Sequence, residues 1–188
     1  MSTPILTITG PTCSGKSTLV KELEKTGKFH YMSGFTTRAP RQGEVNGVDY
    51  HFLTMEQAAQ KIRDQEAVEH VNFNGNYYGI LKEEVIKAEA SGKIPMVILE
   101  PNGMYQFKQV YGDRVFAVFL WAPLDVLIKR FLKRTMLEGS GVNLDYTTQR
   151  LLSLLNEHES WGEKDFSKKF TCTETTLSEI VDFLVKEL

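Results

Sequence analysis

Apolar residues fall in short runs separated by stretches of helical spacing. Ile5-Leu6-Thr7-Ile8-Thr9 reads as a strand stopped by Gly10, and a helix is predicted from about Lys16 to Lys25, ending near Gly27. Phe29-His30-Tyr31-Met32 is a second, weaker strand. Ile94 to Leu99 reads as a buried parallel strand, with Pro95 tolerable only at its start. Val115 to Trp121 is the clearest strand, and Lys169-Phe170-Thr171-Cys172 is a short fifth. Between them, Thr54 with Gln57 and Thr176 with Glu179 form capping-box starts for helices to about Arg63 and at the C-terminus. Lys82 to Ala90 ends on a Ser91-Gly92 stop, and Pro123 suits the first turn of a helix to about Leu137. Such alternation predicts an α/β fold, a parallel sheet flanked by helices.

Two regions break the pattern. Residues 34–80 hold short strand-like pieces among Gly43, Gly47, Gly75 and Gly79 and read as a small inserted subdomain. Residues 138–143 interrupt a helical pair and read as a flexible loop tip. The length of 188 residues, with 41% hydrophobic and 24% charged, fits one ordinary globular core. No stretch approaches the ~18 uninterrupted apolar residues of a membrane helix. Met1 to Ile5 lack a basic segment followed by an apolar block, so no secretory signal is expected. Cys13 and Cys172 are too few for a disulfide framework and carry no metal-ligand spacing. The histidines, at 30, 51, 70 and 158, show none either. A formal charge of -2 gives no reason to expect nucleic acid or an anionic membrane as partner. The expectation is a soluble, cytoplasmic domain, monomeric or homodimeric.

Gly10-Pro11-Thr12-Cys13-Ser14-Gly15-Lys16-Ser17, followed by Thr18, fits the phosphate-loop pattern G-x-x-x-x-G-K-[ST] between a predicted strand and a predicted helix. Its glycines let the backbone curl so that successive N–H groups face phosphate oxygens, and the helix aims its N-terminus at the same anion. Lys16 can reach the β- and γ-phosphates of a nucleotide, and the Ser17 hydroxyl can ligate Mg²⁺. Cys13 is either a thiol activated by the helix N-terminus or simply a small side chain.

A second anion site is suggested by Arg38 and Arg41 flanking a proline turn, with Tyr50 as a phenolic donor, since paired guanidinium groups clamp phosphate. The loop GPTCSGKSTL, the segments FTTRAPRQGE and GVDYHF, and GNYYG at Gly75 to Gly79 together resemble guanylate kinases, and the similarity runs on through Leu127 to Arg150. The resemblance implies the phosphate-loop nucleoside monophosphate kinase fold as one domain, with a monophosphate-binding subdomain at 34–80 and a helical lid at about 126–155. It implies transfer of the γ-phosphoryl group of ATP, with Mg²⁺, to GMP or dGMP. By resemblance Arg38, Arg41, Tyr50 and Tyr78 hold the acceptor phosphate, Glu44 orders the arginines, Glu69 and Glu100 read the base, and Arg134 and Arg150 close on the triphosphate. Arg130 lies in the same helical segment as Arg134.

The base pocket departs from the family. Ile80 stands where a serine or threonine follows G-N-Y-Y-G, Gly34 replaces a serine before the paired threonines, and Ile98-Leu99-Glu100 replaces D-x-D. The segment between Arg134 and Arg150 is also longer than the family pattern. A guanine carbonyl thereby loses a hydroxyl donor, and an unsatisfied buried acceptor costs roughly 1–3 kcal/mol. Phe35 is a candidate to stack on any base. Three other functions compete: a kinase of the same fold for another deoxynucleoside monophosphate, pyrimidine or modified; a kinase of a sugar phosphate; and a non-catalytic interaction module. The module should have lost the loop or lid cations, whereas Lys16, Ser17, Arg134 and Arg150 are present.

Overall fold

The computed structural model describes residues 3–41, 43–73, 75–137, 144–162 and 164–188. The expected loop tip at 138–143 lies outside them. The central sheet has five strands in the order β2 (Phe29–Tyr31), β7 (Ile94–Ile98), β1 (Ile5–Thr9), β8 (Val115–Trp121) and β9 (Lys168–Thr171), all parallel. β1 lies at the centre, with Leu6 opposite Met96 on one side and Phe116 on the other, and all five of its residues are buried. Alternate residues of β1 feed two cores. Leu6 and Ile8 pack with Leu19 and Leu23 of α1 (Lys16–Lys25) and with Ile180 and Leu184 of α7 (Leu177–Glu187). Ile5 packs on the other face with Val85 of α3 (Lys82–Ala90) and with Met104 and Phe107 of α4 (Pro101–Tyr111).

Both capping boxes form, at Thr54 before α2 (Met55–Arg63) and at Thr176 before α7. The strand and helix boundaries otherwise lie within a residue or so of those expected. The sequence analysis assigns no helix over α4; proline is favoured in a first helical turn, and Met104 and Phe107 bury one face. Among the described residues of 34–80 the pieces assemble into a second sheet. Its order is β4 (His51–Phe52), β3 (Phe35–Thr36), β6 (Asn76–Leu81) and β5 (Ala67–Phe73). Phe35 is 0% exposed and packs with Ala58 and Leu81. It is a core residue rather than a platform for a base. Two further helices, α5 (Leu124–Leu137) and α6 (Leu144–Ser160), pack together at the C-terminal ends of the central strands, where ligands of open α/β sheets bind.

The β5–β6 register pairs Glu69 with Ile80 on one face of the second sheet. Ile80 is a core residue packed among Met32, Val68 and Leu99. Glu69 is 3% exposed, and its Oε2 has no hydrogen-bond partner among the described residues. It lies so close to α4 that a Cβ on Gly103 would sit 3.0 Å from that oxygen. Burial, and secondarily the charge of Glu100, push the Glu69 carboxyl from 4.5 up to about 8. Between these values the folded chain keeps a proton that the unfolded chain releases, so stability falls as pH rises through that window. Glu69→Gln should flatten the fall: the gap between variant and wild-type urea midpoints should widen in the variant's favour from about pH 5 to about pH 8. Parallel curves would show that Glu69 does not carry this proton.

Candidate active site at the β1–α1 loop

β1 ends at Thr9 and α1 begins at Lys16, so the loop spans the C-terminal end of the central strand. Gly15 caps α1 with φ 104°, a left-handed conformation that glycine adopts without strain. The Ser14 N–H donates to Pro11 O at 3.1 Å, closing a turn over Thr12 and Cys13. Lys16 Nζ lies under this turn, donating to Gly10 O at 2.6 Å and Pro11 O at 2.9 Å. Burial pushes its ammonium down to about 8, opposed by the carboxylate of Glu157. Ser17 and Thr18 are exposed on the first turn of α1. Burial raises the Cys13 thiol, while Arg134, Arg150, Lys16 and Arg130 act in the opposite sense. Burial is thus the larger of the opposing effects on the Cys13 thiol.

Across the cleft, Arg38 and Glu44 form a bidentate pair at 2.6 and 2.7 Å. Glu44 Oε2 also accepts from the Arg41 N–H at 2.7 Å, closing the proline turn. Arg38 and this backbone bond hold the Glu44 carboxyl at about 2, so the pair stays charged at neutral pH. The Arg38 guanidinium lies 5.1 Å from the centre of the Tyr50 ring, which meets Tyr78 edge-on at 6.2 Å. Arg41 Nη2 donates to the hydroxyl of Tyr146, on α6, at 3.1 Å. Arg150 sits 5.6 Å from the centre of that same Tyr146 ring. One side chain thus links a cation of the second sheet's loops to one of the helical pair.

Lys16, Ser17, Arg38, Arg41, Glu44, Tyr50, Tyr78, Arg134 and Arg150, expected from the sequence, line one open cleft. Glu69, Ile80 and Glu100 do not line it, whereas Ile98 does. The cleft residues that sequence reasoning missed include Tyr146, Ser153 and Glu157. Tyr146, Arg150, Ser153 and Glu157 recur at helical spacing, and this polar stripe on α6 is the signal that could have found them. Glu157 Oε2 accepts from the Thr12 N–H at 2.6 Å, and its Oε1 accepts from Ser153 Oγ at 2.8 Å. No group of three or more His, Cys, Asp or Glu suited to a metal ion occurs among the described residues.

The family model described as "Guanylate kinase" matches residues 2–179. A guanylate kinase of Clostridium tetani is 34% identical over 130 residues, covering 69% of this chain and 62% of that protein. One of Wolinella succinogenes is 36% identical over 163 residues, covering 86% and 74%. One of Francisella tularensis subsp. holarctica is 32% identical over 177 residues, covering 89% and 92%. The alignments to the clostridial relatives span somewhat under two thirds of those proteins. The crystal structure of guanylate kinase from Anaplasma phagocytophilum shares the fold, with a TM-score of 0.72 at 20% identity over 100% of this chain and 85% of that one. With a family model over residues 2–179 and a relative 32% identical over 89% of this sequence, the chain belongs to the guanylate kinase family.

Proposed function

We propose that the chain is an ATP-dependent nucleoside monophosphate kinase that transfers the γ-phosphoryl group of ATP to GMP or dGMP, giving ADP and the diphosphate. One observation carries this reading: the phosphate loop and the Arg38–Glu44–Tyr50 cluster open onto the same cleft, with Arg134 and Arg150 lining it too. The N–H groups from Cys13 to Ser17 that the loop leaves facing the cleft, with the Lys16 ammonium, bind the triphosphate, while the Thr12 and Ser14 N–H groups are engaged by Glu157 and Pro11 O. Arg38, Arg41, Tyr50 and Tyr78 hold the acceptor phosphate, with Glu44 fixing the angle of Arg38. A phosphate oxygen of the acceptor attacks the γ-phosphorus in line; the new P–O bond forms as the bond to the β-phosphate oxygen breaks, and ADP leaves with that electron pair. The chain positions both anions and stabilises the charge of the transferring group, without a covalent nucleophile. Arg134 and Arg150 supply that stabilisation from the helical pair.

The donor set fits Mg²⁺ carried by the nucleotide: the exposed Ser17 hydroxyl opens α1 beside the loop, and no acidic cluster competes among the described residues. When bound, the ion neutralises phosphate charge. By resemblance Glu69 and Glu100 are the acids that read the N–H edge of guanine, and since neither lines the cleft, the base must reach past its wall to meet them. No helix of the described residues is long and apolar enough to cross a membrane. We infer a soluble cytoplasmic enzyme whose partners are its two nucleotides, acting as a monomer or homodimer.

A specific observation favours testing a second acceptor. A Cβ at Gly34 would lie 2.9 Å from Gly79 O and 3.1 Å from Ile80 Cδ1, so Ile80 fills the space where a side chain at 34 would begin. Apolar carbon thus stands where the family offers hydroxyl donors, and another base, such as that of a pyrimidine or modified deoxynucleotide, is the alternative.

A coupled ADP-release assay over all common NMPs and dNMPs tests the reading; turnover on none would overturn it. Lys16→Ala should lower kcat by at least ~10²-fold in a folded protein, because that charge is felt mainly by the transferring group. Arg38→Ala should raise the acceptor KM far more than the ATP KM, and equal effects would misplace Arg38. Ile80 is buried behind the cleft lining, so Ile80→Ser should lower the urea midpoint whichever base is bound. It should raise kcat/KM for GMP or dGMP, on the order of 10-fold through one restored hydrogen bond, only if guanine reaches the new hydroxyl. A loss of kcat/KM on another monophosphate, with little gain on GMP, identifies a rebuilt pocket instead.

A further inference from the structure

Cys13 has φ 65°, the left-handed region that a residue with a Cβ enters only at a cost. It sits inside the turn closed by Ser14 N–H and Pro11 O, at the crest of the phosphate loop. Such a conformation persists only where its surroundings over-determine it. Three groups do so here. Lys16 Nζ holds the Gly10 and Pro11 carbonyls from below. Arg130 Nη1, on α5, donates to Cys13 O at 3.3 Å. Glu157, on α6, accepts the Thr12 N–H at 2.6 Å, while Ser153 one turn earlier fixes its other oxygen. The first of these is lost when Lys16 turns to a phosphate, which leaves the two contacts from the helical pair.

We infer that Glu157 is a positioning residue for the triphosphate: from the lid helix it clamps the Thr12–Cys13 segment in its left-handed turn and so presents the loop to ATP. The inference rests on the kinase reading. It differs from a simple structural role because the clamp matters only while residue 13 carries a side chain. Glycine at 13 adopts the same φ without cost and needs no clamp. The carboxylate also lines the cleft, so its repulsion of a nearby triphosphate opposes the clamp, and net weakening on its removal means that the positioning effect is the larger.

The test is ATP affinity by titration calorimetry, with the ATP and acceptor KM values beside it, in a cycle of Glu157→Ala and Cys13→Gly. Glu157→Ala should weaken ATP binding on the order of 10-fold, with the acceptor KM changed less than about 3-fold. In the Cys13→Gly background the same change should cost less than about 3-fold. Glu157→Gln keeps an oxygen to accept the Thr12 N–H and should recover most of the affinity. Equal losses in both backgrounds, equal effects on both substrates, or tighter ATP binding by Glu157→Ala and Glu157→Gln would each overturn the clamp. If Glu157→Ala does not fold, Ser153→Ala replaces it in the cycle: a smaller loss confined to the Cys13 background supports the clamp, and no loss or an equal loss overturns it. Wild-type protein that binds no ATP would instead overturn the kinase reading.

Discussion

The turn from Gly10 to Ser17 carries the constraint on which the rest of the cleft depends. It must leave the central strand, point its N–H groups inward and enter α1 within a few residues. That geometry uses a left-handed glycine at 15, which costs nothing, and a left-handed cysteine at 13, which needs its neighbours to hold it. The buried strands β7 and β8 fix β1 on both sides, Leu19 and Leu23 fix α1 against the sheet, and the helical pair reaches over the crest. The large core on both faces of β1 is what makes a costly turn sustainable.

Electrostatics follows from the same geometry. Bringing two polyanionic nucleotides together is unfavourable unless positive charge is already in place, fixed and partly shielded from water. Lys16 lies under the loop, Arg38 is tied to Glu44 and stacked near Tyr50, and Arg150 lies against Tyr146. Removing either partner of the largely covered Arg38–Glu44 pair would leave the other charge unpaired, and the pair also serves orientation. Its two parallel bonds hold a guanidinium at one angle, as recognition of a phosphate requires. Tyr146 ties Arg41 to the helix bearing Arg150, so cations from the two walls of the cleft share one partner.

Much of this was legible in the sequence because the features are local. β1, α1, β8 and both capping boxes are each set by residues within a few positions of one another. The phosphate loop was readable for the same reason, and the arginine turn became readable through its resemblance to a family. What escaped depends on distant partners. α4 is helical because Met104 and Phe107 have a core to enter. Phe35 reads as a free aromatic until the second sheet and α2 close over it. Glu157 and Thr12 lie 145 residues apart, and only the packing of α6 over the loop brings them together. Burial of Glu69 likewise needs α4 in place.

The central claim is that two phosphate sites open onto one cleft so that a phosphoryl group passes directly between them. A bisubstrate ligand, two nucleosides joined 5′ to 5′ by five phosphates, tests it most directly by calorimetry. If the claim holds, one ligand binds per chain, roughly 10²-fold or more tighter than ATP or the accepted monophosphate alone, because the second site is engaged at a high effective concentration. Binding no tighter than ATP, or a second ATP or monophosphate still bound beside it, would contradict the claim.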